Sequence, residues 1–127
     1  MAQAAGLADL PESKRNPWET STFGVGQILK EVAGFGVDVI LLGIGGSSTN
    51  DIGIGALNAL GLSLKSHDNN EISFPIPSAW KNVAGIDIDG LDSLPPIRIA
   101  CDVDNQLFGK TGATAQYGPQ KGLAEKD

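Results

Sequence analysis

The sequence is poor in residues that form disulfides or bind zinc, with one cysteine, Cys101, and one histidine, His67. A single cysteine excludes a disulfide within the chain, and one Cys with one His is too small a set for a Cys/His zinc site. Because disulfides accumulate in oxidising compartments, this composition favours the reducing cytoplasm. We expect Cys101, inside an apolar run, to be a small buried side chain. We expect His67, inside the polar segment KSHDNNE, to be exposed rather than catalytic.

Basic residues are also scarce: 9 Lys and Arg stand against 15 Asp and Glu, which gives a net charge of −6. Nucleic-acid-binding domains normally carry a basic face, so we expect neither nucleic acid nor an anionic membrane as a partner. The longest apolar run, residues 37–42, is interrupted by Asp38 and is far shorter than the ~20 residues that span a bilayer. An anionic ligand would therefore have to be held locally, by backbone N–H groups and a few placed cations.

Glycine, by contrast, is abundant. The 17 glycines make up about 13% of the 127 residues, against a usual ~7%. The length suits one packed domain, and an excess of glycine marks tight turns or backbone brought close to a ligand. The composition therefore gives a first indication of a ligand-binding loop.

The first half of the chain alternates between helical and strand patterns. The segment MAQAAGL is typical of the last turns of a helix closed by Gly6. Apolar residues spaced by three and four predict a helix over 23–33, and the β-branched run 37–42 predicts a buried strand. The glycine-rich segment Gly43–Ser48 follows, and then a second helical pattern over 54–60. The order of helix, strand, glycine loop and helix is half of a doubly wound α/β unit.

The second half has weaker patterns. The run LSL, at 62–64, predicts a short strand, and residues 72–85 support no assignment. The segment IDIDGL, at 86–91, alternates like a short edge strand, and IRIACDV, at 97–103, predicts a second core strand. Over 104–122 we expect a long ordered loop with room for one short helix, and loops of that length are usually functional.

The segment Gly43–Ser48 is the strongest candidate for a ligand site. Ligands of open α/β sheets bind outside the carboxyl ends of the strands, and the N–H groups at a helix start attract anions, so we expect a phosphate or carboxylate there. Neither standard phosphate fingerprint fits, because G-x-G-x-x-G spacing places Ser48 at the third glycine and no lysine follows as in a Walker A loop. The segment FGKT, at 108–111, also fails as a Walker A motif because Asp104 stands where the first glycine is required. We expect Lys110 to be solvated.

Three charged residues stand near the predicted loop and strand ends. Asp51 could be a metal ligand or a proton acceptor, or it could cap the helix that follows. Asp102 comes directly after the second core strand, where its oxygens could hold Mg²⁺ or form part of a turn. Lys121 lies between two turn glycines in GPQKG, an arrangement able to present its ammonium to a phosphate.

Together these segments resemble the bacterial glycerate kinase family. The matching stretches occur in the family's order: MAQAAGL, RNPWETSTFGVGQIL, GIGGSSTNDIGIGALNALG, IDIDGLD, ACDVDNQLFG and TGATAQYGPQKG. The resemblance implies an α/β fold with a parallel, flavodoxin-like sheet, two domains and an active site between them, of which this chain would be an incomplete part. The region 1–127 would comprise a helix-strand-loop-helix unit over 1–61, a variable linking segment over 62–96, and a strand with an active-site loop over 97–127.

The resemblance also implies ATP-dependent phosphorylation of D-glycerate by a cytoplasmic enzyme, with ATP and Mg²⁺ as cofactors. The remainder of the parent enzyme would be the partner of this chain, and we expect the chain alone to be inactive. On this interpretation Asp51 and Lys121 are catalytic, and Asp102 is a metal ligand. The residues expected to bind phosphate or glycerate are Gly45, Gly46, Ser47, Ser48, Thr49, Asn50, Asn105 and Gln120.

Some positions depart from the family's pattern. Ile52 stands where a second glycine is usual, Gln106 replaces a proline, and FPIPSAW, at 74–80, lacks an expected glycine-rich stretch. A second hypothesis, a non-catalytic phosphoanion-binding or degenerate module, follows from the expectation that this chain carries only part of the enzyme. A dinucleotide-binding oxidoreductase is disfavoured, because Ser48 occupies the third fingerprint position.

Overall fold

The computed structural model describes residues 1–124, which form a mixed α/β structure. Its helices are α1 (Ala2–Ala5), α2 (Phe23–Ala33), α3 (Ile54–Ala59) and α4 (Ala113–Tyr117). Its strands are β1 (Ile40–Gly43), β2 (Ser63–Ser66), β3 (Val83–Asp87) and β4 (Ile97–Ala100). Short 3₁₀ helices cover Glu12–Lys14, Pro77–Asn82 and Pro119–Lys121. Within the described range, every helix falls short of the length and apolar character that a bilayer span requires.

Strands β1 and β4 form a parallel pair, and this pair positions the glycine loop. Ile40 pairs with Ile97 at one end of the ladder, and Gly43 pairs with Ala100 at the other. The carboxyl ends of both strands therefore meet at one edge, where Ile44 N donates to Ala100 O over 3.3 Å. The pairing confirms the prediction of an α/β fold with a parallel sheet.

Strand β1 begins three residues later than its apolar pattern predicts. The residues before it continue the turn at the end of α2, where Gly36 N donates to Ala33 O over 3.1 Å. The first strand N–H, that of Ile40, donates to the carbonyl of Pro96 over 2.9 Å. The extent of the partner strand sets this boundary, because an apolar residue without a neighbouring strand has no ladder to join.

Strands β2 and β3 form a separate antiparallel pair, with Leu64 opposite Ile86. The strand predicted at 62–64 is confirmed with a shift of one residue and an extension to Ser66. Strand β3 starts at Val83, within the segment that supported no assignment, and ends at Asp87. The edge strand predicted over 86–91 is therefore only partly correct.

The apolar core lies where α2 and α3 meet β1. It is formed by the buried side chains Val25, Leu29, Ile40 and Leu60. The helix predicted over 23–33 is confirmed with the same limits, and the helix predicted over 54–60 ends one residue earlier. The helix-strand-loop-helix order expected from the sequence is thus present in the structure.

Strand β4 is not the buried core strand that its composition predicts. All of its residues are exposed, and the expectation of a buried Cys101 is also wrong, because this cysteine is exposed. Within the described residues β4 pairs with β1 on one side, and Ile99 remains 61% exposed. The strand has the composition of a central strand without the neighbours that would bury it.

Helices α2 and α3 approach each other at glycines. A Cβ atom built at Gly26 would collide with the Ala56 carbonyl oxygen and would lie 2.7 Å from the Ala56 Cα. A Cβ at Gly55 would collide with Ser21 Oγ and would lie 2.7 Å from Phe23 N. The two helices therefore pack backbone against backbone, and any side chain at these positions would push them apart.

This packing predicts opposite effects of alanine at two glycines of one helix. In the whole protein, Gly26→Ala should lower the free energy of unfolding by about 2–3 kcal/mol, because overpacking at a rigid backbone contact is costly. Gly24→Ala is the matched control: its new Cβ would meet Ala4 O at 3.4 Å, so it should be neutral or stabilising by about 0.5–1 kcal/mol. Urea unfolding of both variants measures the difference, and equal effects would contradict the close approach of the helices.

Candidate active site

The glycine loop that follows β1 is held by the segment that follows α1. Gly6 ends α1 in an extended conformation and forms an antiparallel bridge with Ser47. Leu7 N donates to Gly46 O over 2.9 Å, and Ser48 N donates to Ala5 O over 2.8 Å. The shape of the loop is therefore fixed on one side by backbone hydrogen bonds.

The other side of the loop leaves backbone accessible. Gly45 and Gly46 are exposed, whereas Ser48 and Thr49 are buried at 5% exposure each. Gly46 has a φ of +70°, a left-handed conformation that a side chain disfavours. A fixed loop with exposed glycine backbone at a sheet's carboxyl edge is an arrangement able to receive oxygen atoms of an anion.

Asp51, just beyond the loop, is a buried carboxylate at the starts of two helices. It is 1% exposed. Its Oδ2 accepts hydrogen bonds from Thr22 N at 2.7 Å, from Thr22 Oγ1 at 2.8 Å and from Gly55 N at 3.2 Å, while its Oδ1 accepts from Gly53 N at 3.3 Å. These bonds agree with the alternative that Asp51 caps a helix. It caps two helices, because Thr22 precedes α2 and Gly55 lies in the first turn of α3.

Thr22 is a connecting residue that the sequence reasoning missed. It is 3% exposed, and its side chain makes no capping bond within its own helix. Instead its Oγ1 donates to Asp51 and accepts from Ala56 N over 2.9 Å. A threonine before a helix is a common capping residue, and nothing in the sequence indicates a bond to a helix more than 30 residues away.

Lys121 is brought to the glycine loop from the far end of the chain. Its Nζ donates to Ser47 Oγ over 3.0 Å and to Thr49 O over 2.5 Å. Burial lowers the pKa of Lys121 below its ordinary value of 10.5, and the negative charge of Asp51 acts against this shift. The structure therefore places Lys121 beside the loop, and its catalytic function stays a prediction. Lys110 is exposed, as expected.

The other predicted site residues occupy three different surroundings. Asn50 donates from Nδ2 to Thr114 Oγ1 over 3.2 Å and so ties the loop to α4. Asn105 donates to Thr111 O over 3.0 Å and accepts from Tyr117 Oη over 2.6 Å. The side chain of Gln120 is exposed.

Asp102 is exposed and follows β4 at the edge from which the glycine loop also departs. In residues 1–124, no three His, Cys, Asp or Glu side chains come together as a metal cage. Mg²⁺ needs no such cage, since it commonly binds one or two carboxylates together with substrate phosphates and water. A single exposed carboxylate at this edge therefore fits a shared magnesium ion. His67 is exposed, as expected.

Ile52, which departs from the family's usual glycine, lies between Asp51 and α3 with a φ of +46°. Its side chain is 63% exposed. A β-branched residue in the left-handed region is strained. The position therefore requires the backbone conformation that glycine provides, although it carries an isoleucine.

Comparison with known proteins agrees with the resemblance. The sequence matches the model of the glycerate kinase family over residues 1–127. A glycerate kinase of Bacillus subtilis (strain 168) is 46% identical over 125 residues, and a glycerate 2-kinase of Escherichia coli (strain K12) is 44% identical over 128 residues. A crystal structure described as a glycerate kinase 2 of Salmonella typhimurium LT2 superposes with a TM-score of 0.90 at 42% sequence identity.

The matches cover nearly all of this chain but only part of each relative. They cover 96% of this chain for the B. subtilis protein and 98% for the E. coli and Salmonella proteins. They cover 32%, 33% and 34% of those relatives, so the chain spans about a third of their length. Because the family match extends over all residues of the sequence, the chain belongs to the glycerate kinase family.

Proposed function

We propose that the whole protein containing this chain transfers the γ-phosphoryl group of ATP to a hydroxyl of D-glycerate in the cytoplasm. The relatives named glycerate kinase support the reaction class. The observation that carries the proposal is the half-buried Lys121 ammonium held against Ser47 and Thr49 of the glycine loop. Phosphoryl transfer depends mainly on positioning and on neutralising charge, and a cation beside exposed loop backbone provides both.

In this proposal the glycine loop and Lys121 receive the transferred phosphate together. The exposed backbone of Gly45 and Gly46 accommodates the oxygen atoms, and Ser47, Ser48 and Thr49 shape the loop. Lys121 exchanges its bonds to Ser47 and Thr49 for bonds to the anion. Since burial deprives this ammonium of water, its attraction for an anion is stronger than that of a solvated lysine.

Asp51 acts on the reaction as a positioning residue in this proposal. Each of its oxygens accepts from a protein donor, and the side chain is 1% exposed, so a substrate hydroxyl would have to displace an existing bond to reach it. Its charge supports the protonated form of Lys121. The burial and the bonds favour this function over proton transfer, which remains the competing hypothesis for Asp51.

Asp102 would hold Mg²⁺ in the whole protein. When bound, the ion supplies charge neutralisation at the phosphates of ATP. Asn105 and Gln120 are assigned to the substrate side of the same sheet edge, where the second domain is expected to close the site. We expect the chain alone to be inactive and at most to bind phosphoanions.

Loss of the Lys121 charge should impair the reaction. In the whole protein, Lys121→Met should lower kcat/KM for ATP by about 10²–10³-fold, the usual effect of removing one group that stabilises charge in the transition state. Lys110→Met, which alters an exposed lysine of the neighbouring loop, is the matched control and should leave kcat/KM unchanged. A coupled assay of D-glycerate-dependent ADP release measures both. Wild-type rates in a folded Lys121→Met protein would contradict the proposal.

The pH dependence of the rate separates the two hypotheses for Asp51. If Lys121 must be protonated, activity falls as pH rises through its lowered pKa. Because the Asp51 charge raises that pKa, Asp51→Asn should lower it further and move the alkaline limb of the kcat/KM profile to lower pH. Asp38→Asn, at an exposed carboxylate, is the control and should leave the alkaline limb of the kcat/KM profile unchanged.

A general base would give a different result for the same variant. Turnover would fall by about 10²–10⁴-fold at every pH, including pH values low enough to keep Lys121 protonated in the variant. That outcome would reject the positioning function of Asp51 and leave the phosphate site at Lys121 standing.

A further inference from the structure

A small cavity adjoins the glycine loop, and Asn50 is the one residue assigned to the site so far that lines it. Its volume is about 220 Å³. Both tryptophans of the sequence line it. The lining residues are Pro17, Trp18, Asn50, Pro77, Trp80, Thr114 and Leu123.

The walls of this cavity, here called the tryptophan cavity, are fixed by local bonds. Ser78 N donates to Trp18 O over 3.0 Å, which ties the two aromatic segments together. Trp80 donates from Nε1 to Pro75 O over 3.3 Å, so its polar group is satisfied. Trp18 is 42% exposed, and a ligand can therefore reach it from solvent.

The chemistry of the lining excludes some ligand types. Among residues 1–124, no charged side chain lines the cavity, so a phosphate or the carboxylate of glycerate would find no counter-charge in this part of the chain. Proline, leucine and tryptophan side chains favour a flat, uncharged aromatic group. A volume of about 220 Å³ is below the roughly 300–1,000 Å³ of pockets that enclose whole drug-sized ligands, and it suits one ring system of a larger molecule.

Asn50 connects the cavity to the loop and supplies its polar group. It lies two residues after Ser48. Its amide donates one N–H to Thr114 Oγ1 over 3.2 Å, and its Oδ1 accepts from the same hydroxyl over 3.4 Å. An amide has two N–H donors and an oxygen with two lone pairs, so a donor and an acceptor remain for a second partner. Such a pair matches the N6/N7 edge of adenine.

We propose that the tryptophan cavity takes the purine base of the nucleotide, with Asn50 recognising its adenine edge. This inference rests on the proposed kinase function. A nucleotide combines an anionic end, suited to the glycine loop and Lys121, with an uncharged aromatic end, suited to the cavity. The other possible occupant, a side chain from the rest of the whole protein, is an outcome of the test.

Adenosine is the direct probe, because it carries the base without phosphates. In the whole protein it should change the tryptophan fluorescence and compete with ATP, and Trp18→Ala should weaken both effects. Inorganic triphosphate should compete with ATP in wild type and in Trp18→Ala alike. Adenosine that neither alters the fluorescence nor competes would overturn the inference whether or not the variant folds.

Kinetics provide a second test. Trp18→Ala should raise KM for ATP by about tenfold, since stacking on an aromatic side chain is worth about 1–3 kcal/mol per base and 1.4 kcal/mol is tenfold. KM for D-glycerate should not change. Asn50→Ser should reduce the preference for ATP over GTP, and Phe35→Ala, at a residue 72% exposed outside the cavity, is the control without effect.

Different experimental results would contradict the inference and the proposed function. A wild-type protein without D-glycerate-dependent ADP release contradicts the proposed function itself. An active wild type whose Trp18→Ala and Asn50→Ser variants keep the KM for ATP and the preference for ATP contradicts the inference only. If Trp18→Ala instead lowers the unfolding temperature without changing KM for ATP, the cavity is filled by the protein's own side chains, and the inference is wrong.

Discussion

The buried carboxylate of Asp51 is the interaction on which this structure depends. It joins the start of α2 to the start of α3, and those helices frame the glycine loop. A charge with 1% exposure loses its hydration at a cost of several kcal/mol, and the four donors described above offset that cost. Removing the carboxylate would leave three N–H groups and the Thr22 hydroxyl without this acceptor, at the contact where Gly26 and Gly55 allow the helix backbones to meet. The packing of the helices and the position of the loop therefore both depend on the hydrogen bonds of Asp51.

The end of the described chain places a second charged residue, Lys121, beside the glycine loop. The turn that carries Lys121 continues into Gly122, whose φ of +99° and close approach to the Arg15 backbone leave no room for a side chain. Residues from opposite ends of the sequence therefore fix where the ammonium lies. Lys121 is half-buried beside the glycine loop, with Asp51 as its nearby opposite charge. A cation held in this way is ready for a phosphate and needs little reorganisation to bind it.

Local patterns in the sequence predict the helices and the first strand, but they do not predict the hydrogen bonds that join these elements. Helix α2, the strand β1, the loop and helix α3 follow from spacing and from glycine content, because these signals come from residues close together in the chain. The bond from Thr22 to α3 could not be predicted, since it joins segments that are distant in sequence. The exposure of β4 and of Cys101 could not be predicted either. An apolar sequence indicates that a strand favours burial, but it does not show whether neighbouring elements cover the strand. Lys121 was found through its glycine-flanked turn and the resemblance, while the hydrogen bonds that hold it required the structure. The segment boundaries at 61 and 96, and the last three residues of 97–127, which lie outside the described residues, stay predictions.

In the proposed function, Lys121 contacts the phosphate of a bound nucleotide. The most direct measurement is an NMR titration of the Lys121 side chain in the whole protein, followed at its Cε and Nζ, with and without ADP. We expect the pKa of Lys121 to lie below 10.5 in the free protein because of burial, and to be higher with ADP bound, because a neighbouring anion favours the charged form. A Lys121 pKa that is the same with and without saturating ADP would contradict a contact between Lys121 and the phosphate.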